Sequence, residues 1–194
     1  LVVSTTGDKD PTIDALISSY ANDPDYVALI NEPVGYAQTD LLRNYNGDGM
    51  MGSFVQDAVY YQLNTDNIDE NDVDFVFNNP GGIRIDWCDK EDPLNPGSYI
   101  WSSTAADCQP GVWTHDPMML TYGMMYQILP FGNATVVGEM TGAQVIDLLN
   151  QSATLFKGAL SIAGIRHQFY RYSDALPGPQ PWAWGAYDIV YYDK

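Results

Sequence analysis

The sequence predicts one domain of the α+β class, with a mixed β-sheet and helices packed against it. Apolar residues recur at helical spacing in some segments and form short β-branched or aromatic runs in others. These segments alternate without the regular spacing of βαβ units, and no repeat, linker or change of composition divides the 194 residues. We therefore expect a single domain over residues 1–194.

The first half of the chain contains two segments with the pattern of an amphipathic helix. A helix is predicted over residues 11–21, because Asp10 suits the N-cap position and Pro11 suits the first helical position. A second helix is predicted over about 52–63, with Ser53 as its cap. Strands are predicted at residues 26–31 and 73–78, and a glycine-rich loop is predicted at 42–52.

The second half of the chain begins with an irregular insertion at residues 86–113 and continues with helices and strands. An Asp-Pro pair at 116–117 predicts a helix that runs to about residue 127. Thr141 and Gln144 have the spacing of a capping box, which predicts a helix from there to about residue 156. Further strands are predicted at residues 134–140, 164–172 and 188–192.

The charge of the chain is strongly negative, because 25 acidic residues face only 8 lysines and arginines and give a net charge of −17. Such a surface repels a phosphate backbone, which excludes binding of a nucleic acid polymer as the main function. Aromatic residues make up 13% of the chain, which argues against disorder. No apolar run reaches the roughly 18 residues that a membrane-spanning helix needs, so we expect no membrane span.

The two cysteines, Cys88 and Cys108, lie in one segment rich in Pro, Gly, Asp and Ser. They form either a disulfide or two unrelated thiols, and the absence of any Cys/His metal spacing favours the disulfide. A closed loop of this size would stabilise the fold by about 3 kcal/mol. A disulfide would also place the protein in an oxidising compartment, which we expect to be extracellular, periplasmic or the cell surface.

Two of the four arginines, Arg43 and Arg84, lie in or beside loops rich in Gly and Asn. An arginine fork binds phosphate or carboxylate, and glycine turns let an anion approach backbone N–H groups. The segment NNPGGIR combines Arg84 with such a turn and with the amides of Asn78 and Asn79. The alternative is a tight β-turn whose surface arginine pairs with a carboxylate, and the residues alone leave both interpretations open.

Phe131 lies between Pro130 and Gly132, so its ring is either displayed by a loop or anchors that loop in the core. A displayed ring can stack on a planar ligand such as a nucleobase. The sequence contains no HExxH, GxSxG or P-loop motif and no Asp/His cluster with the spacing of a two-metal site. We therefore predict no metal site and no catalytic residue in this chain.

Six segments resemble, in order, the C-terminal substrate-binding domain of the 5′-nucleotidase family, which includes UDP-sugar hydrolases and 2′,3′-cyclic-nucleotide phosphodiesterases. The specific combination is NPGGIR followed by PFGN and a helix that begins with Thr-Gly. The segments cover most of residues 8–172, and they are DPTIDALISSY, VGYAQTDLLR, MGSFVQDAVYYQ, DFVFNNPGGIR, ILPFGNATVVGEMTGAQVIDLL and ALSIAGIRHQFYR.

The resemblance implies a two-domain hydrolase that releases phosphate from nucleoside 5′-monophosphates. Its N-terminal metallophosphatase domain would carry two divalent metals, zinc or manganese, and would activate the attacking water. By similarity, Arg84 would hold the phosphate and Phe131 would stack on the base. The other residues that the resemblance places in the substrate site are Asn79, Gly81, Gly82, Arg43 and Asn133.

The chain departs from the family pattern at several places. The insertion at 86–113 is long for its position beside Arg84, so we expect an effect on the phosphate entrance, and the stretch NYNGDGMM lengthens the spacing from Arg43 to the next helix. A Gly-rich segment of the family with a second stacking aromatic and a ribose-binding acid is absent. We therefore expect that the domain is truncated after residue 194, that the catalytic domain lies upstream of Leu1, and that this chain alone is inactive.

Two other functions stay open on the sequence alone. In the first, the enzyme acts on a 2′,3′-cyclic nucleotide or a UDP-sugar. In the second, the chain is a non-catalytic nucleotide-binding module that retains the fold. A metallophosphatase domain upstream of Leu1 would indicate an enzyme, whereas a signal peptide directly before Leu1 would indicate a binding protein.

Overall fold

The computed structural model describes residues 9–45, 49–65, 73–104, 106–108, 113–154, 159–167, 170–171 and 184–185. Within these ranges the chain forms five α-helices and eight short β-strands, which confirms the α+β class. The described strands pair two by two in antiparallel sheets (β1–β5, β2–β6, β3–β4 and β7–β8) and do not form the expected mixed sheet.

Helices and strands alternate irregularly along the chain. The helices are α1 (Pro11–Ala21), α2 (Pro24–Ile30), α3 (Met50–Thr65), α4 (Tyr122–Ile128) and α5 (Gly142–Thr154). The strands are β1 (Pro33–Ala37), β2 (Val76–Asn78), β3 (Cys88–Glu91), β4 (Tyr99–Ser102), β5 (Met118–Thr121), β6 (Ser161–Ala163), β7 (Tyr170–Arg171) and β8 (Trp184–Gly185). In the described part of the chain no helix is long and apolar enough to cross a membrane.

The first two helices each begin at a proline that follows a capping aspartate. The side chain of Asp10 accepts hydrogen bonds from two N–H groups of the first turn of α1, at 2.8 and 3.2 Å, which confirms the prediction. Asp23 caps α2 in the same way. The strand predicted at 26–31 is therefore wrong, because periodicity does not distinguish a short apolar run in a helix from one in a strand.

The hydrophobic core joins the β1–β5 pair to helices α3 and α4. Two of its side chains border the loops of interest, since Ile83 directly precedes Arg84 and Ile128 ends α4 just before Phe131. Burial of these two isoleucines fixes both loops to the same core. The buried members of the core are Ala37, Leu41, Met51, Val55, Ile83, Leu120, Met124 and Ile128.

Helix α3 covers the β2–β6 pair, in which Asn78 lies opposite Ser161. Gly52 of α3 lies so close to Ser161 that a Cβ atom at residue 52 would collide with the serine side chain. The expected cap, Ser53, is inside the helix, because α3 begins at Met50 and the N–H of Ser53 donates to the carbonyl of Gly49 at 3.0 Å. That prediction is wrong by about one turn.

The insertion at 86–113 is not irregular throughout, because it contains the β3–β4 hairpin. A disulfide joins Cys88 and Cys108 with an S–S distance of 2.04 Å, which confirms the predicted pairing. Cys88 lies in β3 opposite Ser102, so the disulfide ties the segment after β4 back to the first strand of the hairpin.

Three tryptophans attach this hairpin to the core. The ring of Trp101 lies 6.4 Å from that of Trp87 and 5.2 Å from that of Trp113, both in edge-to-face arrangements. Trp101 donates a hydrogen bond from Nε1 to the carbonyl of Met119 at 2.8 Å, and Trp113 donates one to the buried carboxyl of Asp40 at 2.9 Å. The insertion therefore packs beside β5 and the end of β1.

The helix predicted at 116–127 is divided in the structure. Residues 118–121 form β5, which pairs with β1, and α4 begins only after Thr121, whose side chain accepts a hydrogen bond from the N–H of Met124. The Asp-Pro pair is a local helix-start signal, and pairing with a strand far away in sequence overrides it.

The capping box before α5 is confirmed, since the N–H of Thr141 donates to Oε1 of Gln144 at 2.8 Å. Residues 134–140 before it form no strand and are exposed, so that prediction is wrong. The strand predicted at 164–172 is confirmed only at Tyr170–Arg171, which form β7, whereas residues 164–167 form no strand and Gly164 has a φ of +92°, which breaks an extended backbone. The strand predicted at 188–192 lies outside the described residues.

Candidate functional site

The NNPGGIR loop forms a single turn of 3-10 helix at Pro80–Gly82. Asn79 caps this turn, because its Oδ1 accepts from the N–H of Gly81 at 3.0 Å and its carbonyl accepts from the N–H of Gly82 at 2.9 Å. Both glycine N–H groups therefore have partners within the turn. The two glycines place no side chains in this part of the loop. Their N–H groups, however, are not free donors for an anion.

Arg84 leaves this turn with its side chain exposed to solvent. Its Nη1 donates to the carbonyl of Gly81 at 3.0 Å, which folds the guanidinium back over the turn. Among the described residues Arg84 forms no ion pair, in contrast to Arg43. The carboxylate partner that the β-turn interpretation requires is therefore absent from the described part of the chain.

Phe131 lies next to Arg84, although the two are far apart in sequence. The residue is 58% exposed, which supports a ring displayed by the loop over a core anchor. Gly132 follows with a φ of +59°, a conformation that favours glycine. The guanidinium carbon of Arg84 lies 5.6 Å from the centroid of the Phe131 ring, within the range of a cation–π contact.

One backbone hydrogen bond explains why these two loops meet. The N–H of Arg84 donates to the carbonyl of Ile128 at 2.9 Å, and Ile128 is the last residue of α4. The loop with Phe131 begins directly after it. Asn133 is exposed in that same loop, and no described hydrogen bond joins it to Arg84.

Arg43 has a different environment, because it is half-buried and paired. Its Nη2 lies 2.7 Å from Oδ2 of Asp86, and its backbone N–H donates to Oδ1 of the same carboxylate at 2.6 Å. Its Nη1 donates to the hydroxyl of Tyr45 at 2.9 Å. The hydrogen bond with Asp86 is the main reason that the pKa of Arg43 rises above its usual value.

The sequence profile of the family described as "5'-nucleotidase, C-terminal domain" matches residues 27–175, which is more than half of the chain. The chain belongs to this family. A curated relative, the cell wall protein Lmo0130 of Listeria monocytogenes, is 30% identical over 154 residues. That match covers 73% of this chain but only 16% of the relative, so the chain spans a small part of that protein. No solved structure gives a significant match.

The matched residues of this 5′-nucleotidase C-terminal domain include both loops of the candidate site and Arg43. The structure brings together Arg84, Phe131 and the turn that Asn79 caps. The described contacts of the three tryptophans in the insertion are with the core and β5 and not with Arg84. The expected effect of the insertion on the phosphate entrance therefore finds no support in these contacts.

Sequence reasoning missed Asp86, which holds Arg43 by its backbone and side chain. The available signal was weak, because a chain with so many aspartates gives no reason to select the one that lies two residues after Arg84. Among the residues that the structure describes in this 5′-nucleotidase domain, no group of three or more His, Cys, Asp or Glu side chains could hold a metal ion.

Proposed function

We propose that this chain is the nucleotide-recognition domain of a 5′-nucleotidase-type phosphohydrolase that works at or outside the cell surface. The observation that carries the proposal is the 5.6 Å contact between the guanidinium of Arg84 and the ring of Phe131, both exposed. A nucleotide requires these two chemistries side by side, because its phosphate binds a cation and its base binds a flat apolar ring. Membership of the family supports the same assignment.

In this proposal Arg84 binds the phosphate. Its guanidinium has five N–H donors, and the described structure uses Nη1 for the carbonyl of Gly81. That bond holds the guanidinium in place before a ligand arrives, so less side-chain entropy is lost on binding. In a chain with a net charge of −17, an exposed arginine with no ion pair among the described residues forms a local site for an anion.

Phe131 binds the base in this proposal. The guanidinium lies over one side of the ring, so the base stacks on the other side or displaces part of the guanidinium contact. Asn79, Gly81 and Gly82 form the neighbouring turn, over which the guanidinium of Arg84 lies, so in this proposal they border the phosphate. Asn133, which is exposed in the same loop as Phe131, would lie at the edge of this site.

The whole enzyme would have an N-terminal metallophosphatase domain with two divalent metals, zinc or manganese. Those metals would supply a metal-bound hydroxide as the attacking group. The residues described in this chain would bind and orient the nucleotide, so the chain alone would not hydrolyse it. A surface location is supported by the disulfide, which forms in oxidising compartments, and by the cell wall relative.

The test is calorimetric titration of AMP, adenosine and inorganic phosphate into the wild type and Arg84→Ala. We expect Arg84→Ala to weaken AMP about tenfold or more, since a hydrogen bond to a charged group contributes about 1.5–3 kcal/mol. Adenosine should bind both proteins equally. UDP-glucose and 2′,3′-cyclic AMP are titrated in parallel. If the protein binds either of them clearly more tightly than AMP, that ligand class replaces the nucleoside monophosphate as the proposed substrate.

The matched control is Arg166→Ala, which removes the same charge elsewhere. Arg166 is exposed and lies shortly after Ala163, the last residue of β6, which pairs with Val76 at the start of β2. The NNPGGIR loop follows the opposite end of β2, at Asn78. The two arginines therefore follow opposite ends of the β2–β6 pair. An equal loss of AMP binding in both variants would reduce the effect to net charge and contradict the proposal. So would a wild-type protein that binds none of the phosphate-bearing ligands.

A further inference from the structure

We propose that Asp86 is a positioning residue of the nucleotide site, which acts on Arg84 through Arg43. The ligand in this proposal rests on the proposed function, but the structural link between the three residues does not. Neither composition nor family membership assigns a role to Asp86. Its role follows from three hydrogen bonds that link its carboxylate through Arg43 to the peptide group that carries Arg84, and from a fourth that ties this peptide group to the end of α4.

The first two bonds fix Arg43 on Asp86. Oδ1 of Asp86 accepts from the backbone N–H of Arg43 at 2.6 Å, and Oδ2 accepts from Nη2 at 2.7 Å. The side chains of both residues are about three-quarters buried, with 23% and 24% of their surface exposed. Solvent therefore screens this pair less than a surface ion pair, and both ends of the arginine are held by one carboxylate.

The third bond joins Arg43 to the loop of Arg84. Nη1 of Arg43 donates to the carbonyl of Ile83 at 3.4 Å. The fourth bond is the one from the N–H of Arg84 to the carbonyl of Ile128 at 2.9 Å. The carbonyl of Ile83 and the N–H of Arg84 belong to the same planar peptide group. Arg43 and the end of α4 therefore hold this peptide from its two sides and set the direction in which Arg84 leaves the backbone.

The neighbouring backbone strengthens the same link. Leu41 and Trp87 exchange two backbone hydrogen bonds, at 2.7 and 2.9 Å, so the segments that carry Arg43 and Asp86 are paired directly beside the ion pair. Ile83, which supplies the carbonyl, is 2% exposed. A shift of Arg43 would therefore be transmitted to the Ile83–Arg84 peptide, since the surrounding core leaves little space to absorb it.

Arg43 itself is poorly placed to bind phosphate directly. Asp86 balances its charge, and its two terminal nitrogens already donate to Asp86, to Tyr45 and to the carbonyl of Ile83. A phosphate at Arg43 would have to compete with Asp86 for a guanidinium whose charge this carboxylate already balances. Two roles for Arg43 therefore make opposite predictions for the removal of Asp86. If Arg43 positions Arg84, AMP binding becomes weaker. If Arg43 itself binds the phosphate, its guanidinium is released and AMP binding becomes tighter.

The first test is titration of AMP and adenosine into Asp86→Ala in the intact protein. We expect AMP to bind about fivefold more weakly, within the range by which residues along such a network change coupling, and adenosine to bind within about twofold of the wild type. In an Arg84→Ala background the same Asp86→Ala change should have less than about a twofold effect, because Asp86 acts through Arg84. Asp14→Ala, which breaks an exposed ion pair with Lys9 in α1, is the matched control.

Tighter AMP binding by Asp86→Ala would overturn the proposal and make Arg43 a phosphate ligand that Asp86 restrains. An undiminished effect in the Arg84→Ala background would also overturn it. Asp86→Asn keeps an oxygen for the N–H of Arg43 but loses the charge, so we expect a smaller loss of AMP binding than in Asp86→Ala. This variant takes the place of Asp86→Ala in the test if Asp86→Ala does not fold.

The second test needs no ligand and separates this proposal from the proposed function. Hydrogen exchange of the Arg84 amide, measured by NMR, should accelerate about tenfold in Asp86→Ala and stay unchanged in Asp14→Ala, because the first loosens the peptide that this amide belongs to. If the wild type binds no AMP, the proposed function fails while this measurement still decides the role of Asp86. Unchanged exchange of the Arg84 amide would contradict that role.

Discussion

The two arginines in glycine- and asparagine-rich loops show how much a single partner changes the chemistry of a side chain. Arg84 is exposed beside Phe131 without an ion pair among the described residues, whereas Arg43 is half-buried on Asp86. The same residue type in similar local sequences therefore provides a cation without a described ion-pair partner in one loop and a neutralised cation in the other. The difference comes from a carboxylate 43 positions away from Arg43.

Phe131 can be tested separately from Arg84. We expect Phe131→Ala to weaken the binding of adenosine and of AMP about tenfold, since stacking on an aromatic ring contributes about 1–3 kcal/mol per base. The binding of inorganic phosphate should stay unchanged. Equilibrium titrations of the three ligands measure this. Tyr20→Ala on α1 is the control, because it also removes an exposed ring. Equal loss of phosphate binding, or a large drop in melting temperature, would make Phe131 a structural residue instead.

Asp40 gives a prediction on pH. The residue is 3% exposed, and burial is the main reason that the pKa of its carboxyl rises above 3.8, although hydrogen bonds from Trp113 and from the N–H of Asp89 oppose the rise. As the pH rises, the Asp40 carboxyl therefore loses its proton in the unfolded chain before it does so in the folded protein. The protonated carboxyl contributes fully to the free energy of unfolding below pH 3.8, and this contribution is lost as the pH rises through the pKa of the folded state.

Asp40→Asn should remove this loss, because asparagine keeps an oxygen for Trp113 and cannot ionise. We expect the free energy of unfolding of the variant to fall less than that of the wild type as the pH rises from about 3 to 7. Denaturant titrations across that range measure it, with the exposed Asp14→Asn as control. Parallel curves for Asp40→Asn and the wild type would show that Asp40 does not titrate differently in the folded state.

The secondary-structure elements that sequence predicts best are those whose signals are local. Helices α1 and α5 begin at caps that the next few residues satisfy, at Asp10 and Thr141. Strand β5 and residues 134–140 were predicted wrongly, because strand formation depends on a partner that may lie far away, and β5 pairs with β1. The same limit applies to the candidate site, whose residues the sequence proposes but whose mutual contacts it does not predict.

The disulfide of the β3–β4 hairpin is the element whose contribution can be measured most simply. The double variant Cys88→Ser/Cys108→Ser should lose about 3 kcal/mol of stability, because the cross-link restricts the unfolded chain. Denaturant unfolding with and without reductant measures the effect. Reductant should destabilise the wild type and leave the variant unchanged. Two free thiols in the denatured wild type without reductant would contradict the pairing.

At the scale of the whole molecule, net charge and local charge have opposite consequences. The net charge of −17 disfavours binding of nucleic acid polymers, whereas in the proposed function a single nucleotide would contact only the small area around Arg84 and Phe131. The family assignment follows from motifs whose order the sequence contains, and the α+β class follows from the alternating patterns. The pairing of small antiparallel sheets did not follow, since it depends on contacts between distant segments.

The contact between Arg84 and Phe131 is the basis of the proposed function, and NMR titration of the isotopically labelled intact protein tests it most directly. We predict that AMP shifts both the Arg84 Nε signal and the Phe131 ring signals, that inorganic phosphate shifts mainly Arg84, and that adenosine shifts mainly Phe131. Saturable shifts that leave both residues unchanged, or the absence of any shift with AMP, would contradict the assignment of these two residues as the nucleotide site.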